Sequence, residues 1–416
     1  MNPYIVIPIF TDVHLHPLHK DNHLSLLYVK ELNKDPEILT FNHLDALSIS
    51  SLKSLKDKTL ITPNKKHLLS VYPFKTIYDV SLLNYFLFNV PLSFDDIRVE
   101  AVDIFNSRYY DIRQINAAIP IYKHLEYYDQ VAERIEEVWN KRKNIDWDTY
   151  EQYNKEAILA FYSIERNGIK VSDNVLNILD KRVNKHLSNG RLYTDYFLCT
   201  SAGRPSNSFG SVNFAALDKN KRKAIVPDND MLIEYDYDAF HVRLIGDIVG
   251  YKFPEGSAHK HLARYYGKDV SYEKSKARTF QYLYGMIPLE VVQLNPYFGK
   301  VSDLADILWD EFETQGFVET PIYKRKILAS NLQDMNKNKL LNYLIQAFET
   351  EHNIKTIISI QQYLYKKRTK LVLYGYDSFL FDISNKDGNE TLNDIKNILE
   401  QDKFLTKSKR GMNYGF

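Results

Sequence analysis

The chain has 416 residues, 44% hydrophobic and 26% charged: enough apolar material for two or three cores, and too much for a disordered chain. Its 54 Lys and Arg nearly cancel 53 Asp and Glu, so no global positive charge announces a nucleic-acid binder. A single cysteine, Cys199, excludes an internal disulfide framework and every cysteine-cluster metal site.

The N-terminus, MNPYIVIPIFTDVHLHP, has no basic start, and its apolar run is broken by Pro3, Pro8 and Asp12. No stretch approaches the roughly 18 apolar residues of a membrane span. A soluble, cytoplasmic protein with no membrane partner is expected. Aromatic residues reach 13%, with 31 Tyr and 22 Phe, as an AT-rich coding bias would give. Aromatics beside cations also suit base stacking.

The first 70 residues alternate short apolar runs (YIVIPIF, HLSLLYV, LITP) with polar breaks, which predicts an α/β layer. From about residue 76 to 190 the pattern is helical, and WDTYEQYNKEAILAFYSIERNG ends in an Asn-Gly stop. A strand-like GRLYTDYFLC leads into TSAGRPSNSFGS, whose Ser, Gly, Asn and Pro mark an exposed loop. The rest mixes strand and helix signals, with soft borders near 130 and 200.

Several segments carry chemistry. MLIEYDYDAFHVR drives an apolar run into Asp236, Tyr237 and Asp238. KLVLYGYDSFLFDI places Asp377 in a tight hairpin. Either acid alone is an ordinary turn residue; together they could share a pair of divalent cations, as phosphoryl transfer requires. Between them, Lys276, Phe280 and Tyr284 recur at i, i+4 and i+8 on one helix face: a point charge for phosphate and two rings for a sugar and base. Asn342 and Gln346 share another helix face and could read minor-groove acceptors.

In this order, the segments resemble the family A DNA polymerases, the bacterial DNA polymerase I and phage replicative group. TSAGRPSNS resembles their T-x-T-G-R-L-S-S loop, and VNFAAL, which contains Asn213, the L-Q-N-I-P that follows. KAIVPDNDMLIEYDYDAFHVR resembles R-x-A-F…D-Y-S-Q-I-E-L-R. KARTFQYLYG resembles K-x-x-x-F/Y-x-x-x-Y-G, NYLIQ resembles N-x-x-x-Q, YDS stands for H-D-E, and FLTKSKRGMNYGF is similar to the closing K-x-G-x-N-W-G strand.

The resemblance implies a primer-extending enzyme using dNTPs and a pair of Mg2+ ions on primer–template DNA, small and phage-encoded. Asp236, Asp377 and the Tyr237 carbonyl would hold the metals. Lys276 would bind the triphosphate, assisted by His259 or His261, between which spacing does not choose; His259 is preferred. Phe280 would lie by the sugar and Tyr284 at the nascent pair. Arg204, Asn213, Asn342, Gln346 and Tyr376 would contact DNA, and Arg243 would brace the helix after Asp236.

The departures are specific. His241 replaces a Glu that crowds the nucleotide 2′-position. Tyr376 and Ser378 replace His and Glu. Tyr272 stands where an Arg normally precedes Lys276 by four, with Lys274 as its substitute. Basic clusters at 219–223, 366–370 and 407–410 are expected to neutralise duplex phosphates.

The implied fold is an α/β and α+β multidomain right hand. An RNase H-like, degenerate 3′–5′ exonuclease-type domain would occupy 1–130, a reduced thumb 131–200, and palm and fingers 201–416, with fingers at about 250–345. Proofreading is expected to be lost. His14 stands where a Glu should follow Asp12, Leu68 replaces a further Asp, and Leu125 replaces the Tyr before Asp129. His14, His16 and His19 are the only other metal candidates there. A related NTP-using, single-subunit RNA polymerase-like enzyme and a non-catalytic replisome scaffold are the alternatives; a replisome or processivity partner fits either the enzyme or the scaffold.

Overall fold

The computed structural model describes residues 2–40, 46–97, 121–179, 181–209, 212–267, 270–329 and 334–416. The first apolar run forms strand Tyr4–Phe10, in the middle of a five-stranded mixed sheet. On one side it pairs antiparallel with Leu24–Glu31, which pairs with Glu37–Thr40. On the other it runs parallel to Thr59–Thr62, itself parallel to Thr76–Asp79. A strand covered on both faces reads as an unbroken apolar run, and Ile5 and Val6 have no exposed surface.

Helix Ile121–Asn140 lies over this sheet. Its buried residues Tyr128, Val131, Ala132, Ile135, Val138 and Trp139 follow the helical period, so one stripe meets the core and the charges face out. The helix runs through residue 130, carrying the first layer's cover past that point. Helix Trp147–Glu165 follows, with the Asp146 carboxylate capping the Thr149 N–H. It stops at the expected Asn-Gly, where Gly168 takes φ +61°. Between Glu165 and Phe240 the described residues contain no helix longer than six residues.

The second sheet is antiparallel throughout, in the order Lys370–Tyr374, Ser378–Ile383, Met231–Tyr237, Thr406–Gly411. Helix Lys337–Leu364 packs against both this sheet and helix Trp147–Glu165. Its first half joins a helical core containing Leu283, Tyr297, Phe298 and Val301. Its second half joins the large core that runs from Ile5 through Phe161 to Phe381. Apolar residues therefore lie on several faces of the helix, interleaved with buried polar ones such as Glu349, Glu351 and His352.

A buried ionic cluster ties the first layer to the end of helix Trp147–Glu165 and to the segment at 195–196. Lys66 Nζ donates to Glu165 Oε1 (2.6 Å), Asp195 Oδ1 (2.5 Å) and the Tyr196 carbonyl (2.9 Å). Burial pushes Glu165 up, while the Lys66 ammonium offsets the burial of Asp195 and holds it below the usual carboxylate range. Cys199 lies nearby, buried, with its thiol directed at the Ser81 carbonyl. Lys66→Met would leave two acids facing each other without a cation. Chemical denaturation should show a loss of about 3–5 kcal/mol, and much of it should return in the triple variant that adds Glu165→Gln and Asp195→Asn.

Candidate active site

Strand Met231–Tyr237 is paired on both edges, so its end is fixed by two ladders. Asp236 sits at that end, and the Tyr237 N–H donates to the Asp377 carbonyl (2.9 Å). Asp377 occupies the turn between Lys370–Tyr374 and Ser378–Ile383, closed by Gly375 N–H to the Ser378 carbonyl (2.8 Å). Any side chain at Gly375 would put its Cβ 2.7 Å from Ser378 Oγ. Tyr376 takes φ +72°, a conformation that costs a non-glycine residue about 1–3 kcal/mol. Two contacts hold it there: the Arg204 guanidinium lies 3.7 Å over its ring, and Asn353 Nδ2 donates to its carbonyl (2.7 Å).

Asp236 and Asp377 line one cleft of about 260 Å³. Burial, then the charge of Asp377, then Glu234, push Asp236 up to about 6. Burial and the charge of Glu349 raise Asp377, offset by Arg204. Both acids therefore sit where an added cation would relieve them.

The opposite wall is helix Tyr272–Tyr284, started by the Ser271 hydroxyl on Lys274 N–H. Ser275, Thr279 and Leu283 are buried against the helical core, which turns Tyr272, Lys276, Phe280 and Tyr284 into the cleft. Phe280 and Tyr284 stack nearly parallel, centroids 5.7 Å apart. Gly285 caps the helix, its N–H donating to the Gln281 carbonyl (2.9 Å), and a Cβ there would lie 2.6 Å from that same oxygen. Lys274 is exposed and outside the cleft, so it does not replace the missing Arg; Lys407 and Lys409 reach the cleft instead, from strand Thr406–Gly411. The 407–410 cluster is thus split, with two of its charges set beside the acids of the cleft.

The structure separates the two histidines. His261 Nε2 meets the Tyr251 hydroxyl at 2.8 Å. His259 is 1% exposed, lines the cleft, and has no partner on either ring nitrogen. Burial and nearby Lys276 push it down to about 4, so it is neutral at pH 7.

His241, the residue in place of the expected Glu, meets the Tyr284 hydroxyl through Nδ1. Its Nε2 lies 2.9 Å from Glu349 Oε1, and Glu349 Oε2 lies 3.0 Å from Arg204 Nε. Glu349 has no exposed surface. It went unread in the sequence, although it continues the spacing of Asn342 and Gln346: residues 342, 346, 349 and 353 form a polar stripe of helix Lys337–Leu364. Asn342 and Gln346 lie outside the cleft lining, bonded to each other through Gln346 Nε2 and Asn342 Oδ1 (2.8 Å). Asn213 is also outside it and caps a short turn by accepting from Ala216 N–H. Arg243 ties the Asp238 carbonyl (3.0 Å) to that of Gly256 (2.6 Å).

Among the described residues, no group of three or more His, Cys, Asp or Glu is placed to hold a metal. In the first layer, His16 stacks on Tyr193 and His19 Nε2 lies 3.0 Å from the Leu187 carbonyl, so both serve packing. No described helix is long and apolar enough to cross a membrane.

No family model matches the sequence, and no curated protein matches it either. Among solved structures, the chain superposes on the POL domain of Pol1 from M. smegmatis, determined in complex with DNA primer-template and dNTP. The TM-score is 0.76 over 99% of this chain and 96% of that one, at 13% identity. The fold is that of a DNA polymerase domain.

Because Asp236 titrates higher in the folded chain than its ordinary 3.8, its contribution favours folding below about pH 4 and is lost as pH rises through about 6. In chelator at pH 7.5, Asp236→Asn should therefore raise the melting temperature by about 2 °C. The difference should vanish near pH 4.

Proposed function

We propose that the chain is a DNA-templated DNA polymerase of the family A type, extending a primer 3′ end with dNTPs and lacking proofreading. One observation carries this reading. Asp236 and His241, Lys276 with Phe280 and Tyr284, and Asp377, His259 and Arg204 come from five segments, and all line one cleft in a polymerase-domain fold.

Asp236 and Asp377 fit Mg2+, which takes one or two carboxylates and completes its shell with substrate phosphates. Bound there, magnesium would screen the charge that grows on the attacking and leaving oxygens. The chain's own residues do the positioning. Lys276 meets the triphosphate as a point charge. His259, neutral and unpartnered, offers ring nitrogens toward the same group. Phe280 flanks the sugar, and Tyr284 covers the nascent pair. His241, held between Tyr284 and Glu349, stands on the 2′ side. Arg204, Asn213, Asn342, Gln346 and Tyr376 follow the DNA. The primer 3′-oxygen attacks the α-phosphate in line and pyrophosphate leaves.

His241 favours the NTP-using alternative as the second reading, because it removes the expected Glu. A non-catalytic scaffold fits poorly. Burying two repelling acids beside Lys276 costs stability and gains nothing without a cation and a phosphate. With only short helical turns among the described residues between Glu165 and Phe240, the grip on duplex should be slight, so a processivity partner belongs to the proposal.

Primer extension in magnesium with dNTPs, and separately with NTPs, tests the reading. Asp236→Asn and Asp377→Asn should each cut extension about a thousandfold while leaving duplex affinity nearly unchanged; extension with NTPs alone would favour the second reading. Proofreading has its own assay, the trimming of a mismatched 3′ end without dNTPs. Asp12 keeps a carboxylate after the first strand, but buried Leu68 offers none, and Asp129 is engaged by the Tyr28 hydroxyl (2.6 Å). No trimming is expected. Trimming lost in Asp12→Ala but kept in Asp236→Ala would overturn that part of the proposal.

A further inference from the structure

The strand Thr406–Gly411 brings lysines into the cleft by register. Side chains alternate across a strand, and pairing sets Lys407 opposite Asp236 and Lys409 opposite Glu234, so these two line the cleft. Ser408 and Arg410 are set opposite Tyr235 and Ile233 and are not part of it. The two lysines have different surroundings. Lys409 acts on Asp236, whereas Lys407 bonds the Asp238 carboxylate and lies 5.7 Å from the centre of the Tyr272 ring.

Tyr272 stands one helical turn before Lys276 on the same stripe. Lys407 therefore places a cation at the level of that turn, about 6 Å along the helix from Lys276, but from the facing strand. Its side chain is 64% exposed and so open to an incoming anion. Asp238 stays compensated if Lys407 turns away, because Arg243 Nη2 lies 3.7 Å from its carboxylate.

We propose that Lys407 is a phosphate-binding residue that, with Lys276, brackets the β- and γ-phosphates of the incoming nucleotide and the departing pyrophosphate, Asp238 being its resting partner. The inference rests on the polymerase reading. As the 3′-oxygen bonds to the α-phosphorus, the bridging P–O bond breaks and its electron pair leaves with pyrophosphate, while the 3′-hydroxyl proton passes to solvent. The two lysines face the charge that this adds to the leaving group.

The experiment is steady-state extension and its reverse, pyrophosphorolysis, with Lys407→Met. The KM for dNTP and for pyrophosphate should each rise about tenfold, as expected for one lost charged contact that is partly screened by solvent. Duplex affinity and melting temperature should hold. Adding Tyr272→Arg to Lys407→Met should restore both KM values, since it returns a cation to the same level from the helix side. Asp238→Asn separates a phosphate contact from a strut: freeing Lys407 should lower the dNTP KM, whereas a strut role would raise it as Lys407→Met does. Wild-type KM values in Lys407→Met, a raised KM in Asp238→Asn, or no rescue by Tyr272→Arg would each overturn the inference while leaving the polymerase reading intact. A wild-type chain that extends no primer removes both.

Discussion

Acids that repel one another are fixed where they cannot move apart, and the cleft is organised around that constraint. Asp236 and Asp377 end neighbouring strands, with Glu234, Asp238 and Glu349 close by. Carboxylates on loops would relax this repulsion by moving into solvent. Here the paired strands and the tight turn at Gly375 prevent it. The opposing cations are equally fixed: Arg204 is stacked on Tyr376, Lys276 rides a packed helix, and Lys407 and Lys409 stand on the last strand. The cores hold these charges together, and helix Lys337–Leu364, buried nearly all round, carries Glu349 into the middle of them.

What was legible in the sequence follows from this. Lys276, Phe280 and Tyr284 could be read because a helix repeats every turn, and their spacing survives as the stripe that faces the cleft. Asp236 and Asp377 could be read because each closes an apolar run. The first layer was visible as runs of β-rich residues, including the uninterrupted YIVIPIF of its middle strand. Glu349 was not legible: an acid inside a helix looks like surface until the packing shows every side of that helix covered. Lys407 and Lys409 were read only as part of a basic run, since which lysines face the acids depends on register with a strand some 170 residues earlier. The choice between His259 and His261 needed the Tyr251 hydroxyl, which adopts one and leaves the other bare. The motif position of Asn213 gives no sign of its local task, the cap it places on Ala216 N–H.

A backbone match of this extent at 13% identity has a physical basis. Cores accept wholesale exchange of apolar residues if volume and pattern are kept. The chemistry of the cleft rests on a handful of side chains at fixed backbone positions. Around them, charges are balanced across elements: His241 meets Glu349 of another helix, and Lys407 meets Asp238 from the last strand. Searches by residue identity lose such a chain long before its fold changes.

Cys199 has a practical consequence. The only thiol in the chain lies where the first layer meets the segment tied down by Lys66, buried and with its ionisation suppressed by burial. Thiolate-selective reagents can reach it only when that junction opens. The unaltered protein therefore carries its own reporter of separation between the first layer and that segment, and labelling rate against temperature reads that opening directly. Cysteines introduced on exposed helices elsewhere would react far sooner, so fluorophore pairs could be attached without first removing a native one.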